Sequence, residues 1–196
     1  MKIGIISGSF NPIHVGHLIM AVSAYNSGEF DKILFVISNN PAKKNHPDMA
    51  TFSDRAEMVK LSIEDISNDM IDYSTVEEDM GSSNYTFNML ENLQKEYPDD
   101  ELSLILGQDV VYKFNRWYKA REYNGKYSLY YVERPCGFVS KIFNDNVKNF
   151  GFKQLSMPHI GISSTSIRKS VKEAKNIKFS VTDKVLEYIK SQRLYL

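Results

Sequence analysis

Residues Lys2–Leu18 read KIGIISGSFNPIHVGHL, and their pattern decides the fold. KIGIIS, Lys2–Ser7, is short, rich in isoleucine and bounded by a glycine, as a buried strand of a parallel sheet is. From Val15 to Ser27 the apolar residues Leu18, Ile19, Val22 and Tyr25 recur at helical spacing. Strand, glycine-rich connection and helix in that order predict the first half of a βαβ unit.

The pattern repeats outward. Lys32–Ser38 (KILFVIS) reads as a second buried strand, and Phe52–Ile66 as an amphipathic helix with Met58, Leu61 and Ile66 inward. A third strand is expected around Met70–Val76, and a helix from Tyr85 to about Tyr97 follows the Gly81–Asn84 turn. Strands four and five are expected at Glu101–Leu106 and Tyr127–Val132. Ser180–Arg193 reads as a closing helix with Ser180 and Asp183 spaced as a capping box. Asn39–Thr51, with two prolines and few apolar residues, is the candidate mobile loop. This alternation predicts a doubly wound α/β fold, a parallel sheet flanked by helices. A chain of 196 residues fits one domain, 1–196.

Composition narrows the function. Lys+Arg and Asp+Glu are equal at 24 each, which removes a bulk electrostatic argument for nucleic-acid binding. Cys136 is the only cysteine, so neither an internal disulfide nor a multi-cysteine zinc site is available. No apolar run reaches the roughly 18 residues of a membrane span. The N-terminal apolar run is broken before it forms a signal-peptide core. The expectation is a cytoplasmic protein with no nucleic-acid or membrane partner; a homo-oligomer is compatible with the sequence.

His14 and His17 admit three readings: a metal site, a phosphate cradle, or a structural pair. Zinc needs three or four ligands, while His46 and His159 are isolated and no H-E-x-x-H pattern occurs. The phosphate reading explains more of the spacing. Gly8 permits a tight turn, Pro12 stiffens the loop, and the helix start near Val15 favours an anion. Gly16 leaves room for close approach, and His14 and His17 lie one turn apart. The loop is neither a Walker A sequence nor a dinucleotide fingerprint.

A second motif is GISSTSIR, Gly161–Arg168. One hydroxyl of Ser163 and Ser164 is explained by an N-cap. Three hydroxyls, with Thr165, followed one turn later by Arg168 point to phosphate, which guanidinium binds bidentately.

With both motifs in hand, the chain resembles the H-x-G-H nucleotidyltransferase superfamily. Within it, the chain is most similar to bacterial nicotinate-nucleotide adenylyltransferases, and the similarity runs nearly end to end. It includes Asp54-Arg55-Ala56-Glu57-Met58, Tyr85-Thr86, Gly107-Gln108-Asp109, Arg134-Pro135, Trp117, and the ending Tyr188-Ile189…Leu194-Tyr195. The family's loop usually has aspartate where this chain has Asn11, and proline where it has Asn115. Its P-P-H-K pattern is here Pro41-Ala42-Lys43-Lys44, which matches Lys44 to the family lysine with Lys43 as the fallback.

The resemblance implies a Rossmann-like fold and transfer of AMP from ATP to nicotinate mononucleotide, giving deamido-NAD and pyrophosphate. It implies His14, His17, Lys44 and Arg168 as catalytic residues. ATP would contact Gly8, Ser9, Phe10, His14, Gly16, His17, Gly107, Asp109, Ile162, Ser163, Ser164, Thr165 and Arg168. The acceptor would meet Lys44, Tyr85, Thr86, Trp117 and Arg134. Magnesium would bind through ATP and water, without a protein metal site. Other acceptors, nicotinamide mononucleotide or phosphopantetheine, and a non-catalytic nucleotide sensor are the alternatives. Without the resemblance, Asp109 reads equally as an N-cap, Trp117 as core, Thr86 as a cap and Arg134 as a solvated charge.

Overall fold

The computed structural model describes residues 1–39, 48–66, 69–81, 85–133 and 141–196. Its parallel strands are β1 (Lys2–Gly8), β2 (Lys32–Ile37), β3 (Ile71–Ser74), β4 (Glu101–Gly107), β5 (Ser128–Val132) and β6 (Lys153–Leu155). Their order across the sheet is β3-β2-β1-β4-β5-β6. The helices are α1 (Val15–Asn26), α2 (Phe52–Ile63), α3 (Thr86–Glu96), α4 (Gln108–Val111), α5 (Lys141–Phe150), α6 (Ser164–Lys172) and α7 (Asp183–Ser191). This is the expected doubly wound, Rossmann-like sheet.

Both sheet faces are covered, which explains why the strands read as continuous apolar runs rather than alternating ones. In β2, Ile33, Phe35 and Ile37 face a cluster with Met20, Ala21, Met58 and Val185 from α1, α2 and α7. Leu34 and Val36 face the opposite cluster, with Phe87 and Leu90 of α3 and Phe143 of α5. The chain leaves β1 toward β2 on one side and reaches β4 on the other. A crevice therefore opens between the carboxyl ends of β1 and β4, where such sheets bind ligands.

The structure corrects several local expectations. Val22 is 36% exposed, and α1 instead buries Gly16, Met20, Ala21 and Ala24. Small residues there let the helix backbone lie close to the sheet, while Leu18 and Tyr25 flank the contact. Ser180 does not cap α7; Thr182 does, accepting from the Val185 N–H at 3.4 Å. The Ser180 carbonyl is instead bonded to the Val15 N–H at 3.0 Å, tying that turn to α1. Helix α5 and strand β6 went unread because α5 buries only Phe143 and Asn146, and β6 is a three-residue edge strand.

An aromatic nest under α3 carries a stability prediction. Tyr123 is fully buried among Phe87, Phe114 and Tyr127, at ring distances of 5.2, 5.1 and 6.2 Å. Its hydroxyl has no hydrogen-bond partner among the described residues, and burial pushes the phenol well above its ordinary pKa. An unmade buried hydrogen bond costs about 1–3 kcal/mol. Tyr123→Phe should therefore raise the melting temperature by roughly 2–4 °C for each kcal/mol recovered. A lower melting temperature would show that the hydroxyl is satisfied in solution.

Candidate active site

The loop after β1 is held by its own carbonyl groups. The Ser9 carbonyl accepts from Arg55 Nη1 at 2.7 Å, the Asn11 carbonyl from Arg168 Nη1 at 2.8 Å, and the Pro12 carbonyl from Ser164 Oγ at 2.9 Å. Donors from α2 and α6 thus fix three of four consecutive residues. The Asn11–Pro12 peptide bond is cis.

The glycines act differently from the sequence expectation. Gly8 is not at positive φ; the turn strain falls on Phe10, at φ 44°. A Cβ at Gly8 would come within 3.1 Å of the Phe10 ring, so the missing side chain is the space that ring fills. Phe10 in turn packs edge-on against His17 and Phe35, at 5.1 and 5.4 Å. At Gly16 a Cβ would lie 3.1 Å from two atoms of the His14 imidazole. Gly16 is therefore needed first by the histidine.

His14 and His17 stack, with ring centroids 3.7 Å apart and planes inclined by 22°. The His14 backbone N–H donates to His17 Nδ1 at 3.3 Å. A nitrogen that accepts cannot carry the ring proton, so neutral His17 holds it on Nε2. His17 is thereby a pre-oriented donor at the first turn of α1, where the Val15 and His17 N–H groups are engaged by the Ser180 and His14 carbonyls at 3.0 and 2.8 Å. His14 is 3% exposed and sits behind it.

A cleft of about 260 Å³ lies between the β1 and β4 ends, lined by Gly8, Ser9, Phe10, His17, Thr86, Gly107, Asp109 and Trp117. Ser38 and Val110 complete this stretch of wall. Trp117 belongs to both environments: half-buried, it packs on Phe114 at 5.1 Å and also borders the cleft. Tyr85, 52% exposed, stacks on Tyr118 at 4.4 Å beside Thr86, the first residue of α3. Tyr118 was not foreseen, since nothing in its sequence neighbourhood separates it from a surface tyrosine.

Helix α6 docks against the β1 loop rather than lining the cleft wall. Ser163 caps it, accepting from the Ser166 N–H at 3.2 Å, and Ser164 Oγ is engaged by Pro12. Thr165 is exposed and Ile162 packs partly on the core. Arg168 Nε is buried with no partner among the described residues. Lys43, Lys44, His46, Arg134 and Cys136 lie outside the described residues.

Sequence reasoning assigned no role to Arg55. It is 4% exposed and also donates to the Ser38 and Ala50 carbonyls, at 2.8 and 3.3 Å. Burial pulls its pKa below the usual guanidinium value. Nearby Glu77, 2% exposed, accepts the Asn39 N–H at 2.9 Å, and burial raises its carboxyl. The signal was present: Arg55 falls on the same helical face as Met58, Val59 and Ile63.

A crevice at the topological switch point, with His17 on its wall, is where doubly wound α/β proteins bind their ligands. The chain belongs to the cytidylyltransferase-like family, whose model matches residues 5–170. A probable nicotinate-nucleotide adenylyltransferase of Caldicellulosiruptor saccharolyticus is 38% identical over 100% of this chain and 99% of its own. The nicotinate-nucleotide adenylyltransferase of Bacillus subtilis is 32% identical, over 99% and 98%. Among solved structures, the Plasmodium falciparum nicotinic acid mononucleotide adenylyltransferase complexed with NaAD superposes with a TM-score of 0.79. It is 21% identical over 99% of this chain and 97% of that one, a match that speaks for the fold. Among the described residues, no helix is long and apolar enough to cross a membrane.

Proposed function

We propose that the chain, as one nucleotidyltransferase domain spanning residues 1–196, transfers AMP from ATP to nicotinate mononucleotide in the cytoplasm. The products are deamido-NAD and pyrophosphate, in a late step of NAD biosynthesis. The observation that carries this reading is the β1 loop, which leads into His17 on the cleft wall and holds Arg168 Nη1 at the Asn11 carbonyl. Full-length relatives bearing this activity in their names support the choice of acceptor.

In the transfer, an acceptor phosphate oxygen forms a bond to Pα of ATP as the Pα–O–Pβ bond breaks. The leaving pyrophosphate takes that electron pair. The acceptor is already anionic near neutral pH, so no base is needed and catalysis is positioning plus electrostatics. His17 Nε2 would donate to the reacting α-phosphate, with His14 behind it. Arg168 and the first-turn amides of α6 would hold the departing phosphates, with the Thr165 hydroxyl at their edge. Asp109 is suited to accept from the nucleoside. Thr86 opens α3 with amides suited to a carboxylate, and Trp117 offers a ring face for the pyridine. Magnesium, which the family resemblance implies, would be held largely through ATP and water. When bound, it would neutralise charge on the leaving pyrophosphate.

The test is pyrophosphate release with ATP and magnesium, comparing nicotinate mononucleotide, nicotinamide mononucleotide and phosphopantetheine at equal concentration. Nicotinate mononucleotide is expected to be preferred, and to change the emission of Trp117, the chain's only tryptophan. Preference for another acceptor would overturn the acceptor assignment. ATP binding without release from any of the three would favour a sensor.

A further inference from the structure

Asn11 joins four parts of the molecule. Its Oδ1 accepts from the Ala50 N–H at 3.0 Å and from the Tyr195 hydroxyl at 2.8 Å. Its Nδ2 donates to the Asp48 carbonyl at 2.8 Å, and its own carbonyl accepts from Arg168. The amide uses both its donor and its acceptor here, a combination that a carboxylate at the same position lacks.

Tyr195 is the penultimate residue, 184 positions from Asn11. It is 8% exposed, with its ring in the core between the sheet, α1, α2 and α7. Burial raises the phenol above its ordinary pKa, so it remains an O–H donor at neutral pH. A buried aromatic could anchor the chain end by packing alone. Aiming its hydroxyl at Asn11 adds nothing to packing, and Asn11 is the residue from which Arg168 hangs.

We propose that Tyr195 is a positioning residue of the phosphate site. Through Asn11 its hydroxyl fixes the loop carbonyl that orients the Arg168 guanidinium, making the segment after α7 part of the nucleotide-binding apparatus. The inference rests on Arg168 binding phosphate, as read above. A one-sided hydrogen bond of this kind is modest in stability but leveraged in geometry, because small misplacements of a preorganised donor cost much of its effect.

Tyr195→Phe removes the hydroxyl and keeps the ring. Calorimetric titration of ATP with magnesium is expected to show about tenfold weaker binding, and saturating kcat a comparable fall. The KM for nicotinate mononucleotide should stay unchanged, since Thr86 and Trp117 are untouched. A drop in melting temperature with unaltered ATP affinity and kcat would reduce Tyr195 to a structural anchor and overturn the proposal.

In an Asn11→Ala background, or Asn11→Ser where that variant does not fold, Tyr195→Phe should cost nothing more. Additive losses would overturn the route through Asn11. ATP affinity is measured without an acceptor. A parent chain that binds ATP but ignores nicotinate mononucleotide would therefore sink the acceptor assignment and leave this inference to its own result. A parent that does not bind ATP would overturn both.

Discussion

His17→Ala is expected to lower kcat about a hundredfold, the usual effect of removing one preorganised donor from a charge-stabilising site. Three contacts make His17 more than a surface imidazole. The His14 N–H settles its tautomer, the His14 ring stacks on one face, and Phe10 meets it edge-on. Each contact restricts the direction in which Nε2 can donate, so little reorganisation is left for the moment of transfer. The substitution also removes the acceptor for the His14 N–H, at a stability cost of about 1 kcal/mol. An unchanged circular dichroism spectrum with a hundredfold loss in steady-state pyrophosphate release is the expected pair of results. Near-normal release would remove His17 from the reacting centre and return the two histidines to a structural pair.

The parts of this molecule legible in its sequence are those with a period. β2 announces two covered faces because five successive residues, Ile33–Ile37, are apolar, and β1 followed by Gly8 and the α1 pattern places the crevice. Helix α1 misled because apolar residues ring nearly its whole circumference. Pattern alone then favours the large Val22 over Ala21 and Ala24, although close approach to the sheet needs the small ones. Helix α5 carries a stripe of Phe143, Val147 and Phe150, but only two turns long among polar residues, and the edge strand β6 exposes two of its three.

At the site, His14, His17 and Arg168 could be singled out because they stand in the starts of helices that follow glycine- or serine-rich turns, where a phosphate site is expected. What supports them was not. Arg55 and Tyr195 act on backbone carbonyls and on Asn11 across 46 and 184 residues, and a hydrogen bond between such distant positions leaves no periodic trace. Asn11 could be seen to depart from the family's aspartate. Only the Asp48 carbonyl facing its Nδ2 shows what the amide does.

Arg168→Ala should separate activity from stability more sharply than any other substitution. The side chain gains one bond to the Asn11 carbonyl while its Nε lies buried without a partner among the described residues. These oppose each other: a hydrogen bond from a charged group contributes about 1.5–3 kcal/mol, and an unsatisfied buried donor costs a similar amount. The melting temperature should therefore move little. Turnover should fall by about two orders of magnitude or more, because the same Nε is then missing when negative charge builds on the departing pyrophosphate. Arg168→Lys discriminates further. One ammonium retains the charge but cannot hold the Asn11 carbonyl and fork onto a phosphate in the plane that a guanidinium provides. It should recover part of the ATP affinity and little of kcat. Full recovery of kcat by lysine would mean that charge alone suffices and that the bond to Asn11 has no part in catalysis. A large fall in melting temperature for Arg168→Ala would instead make Arg168 a structural strut, with its unpaired Nε a cost of packing.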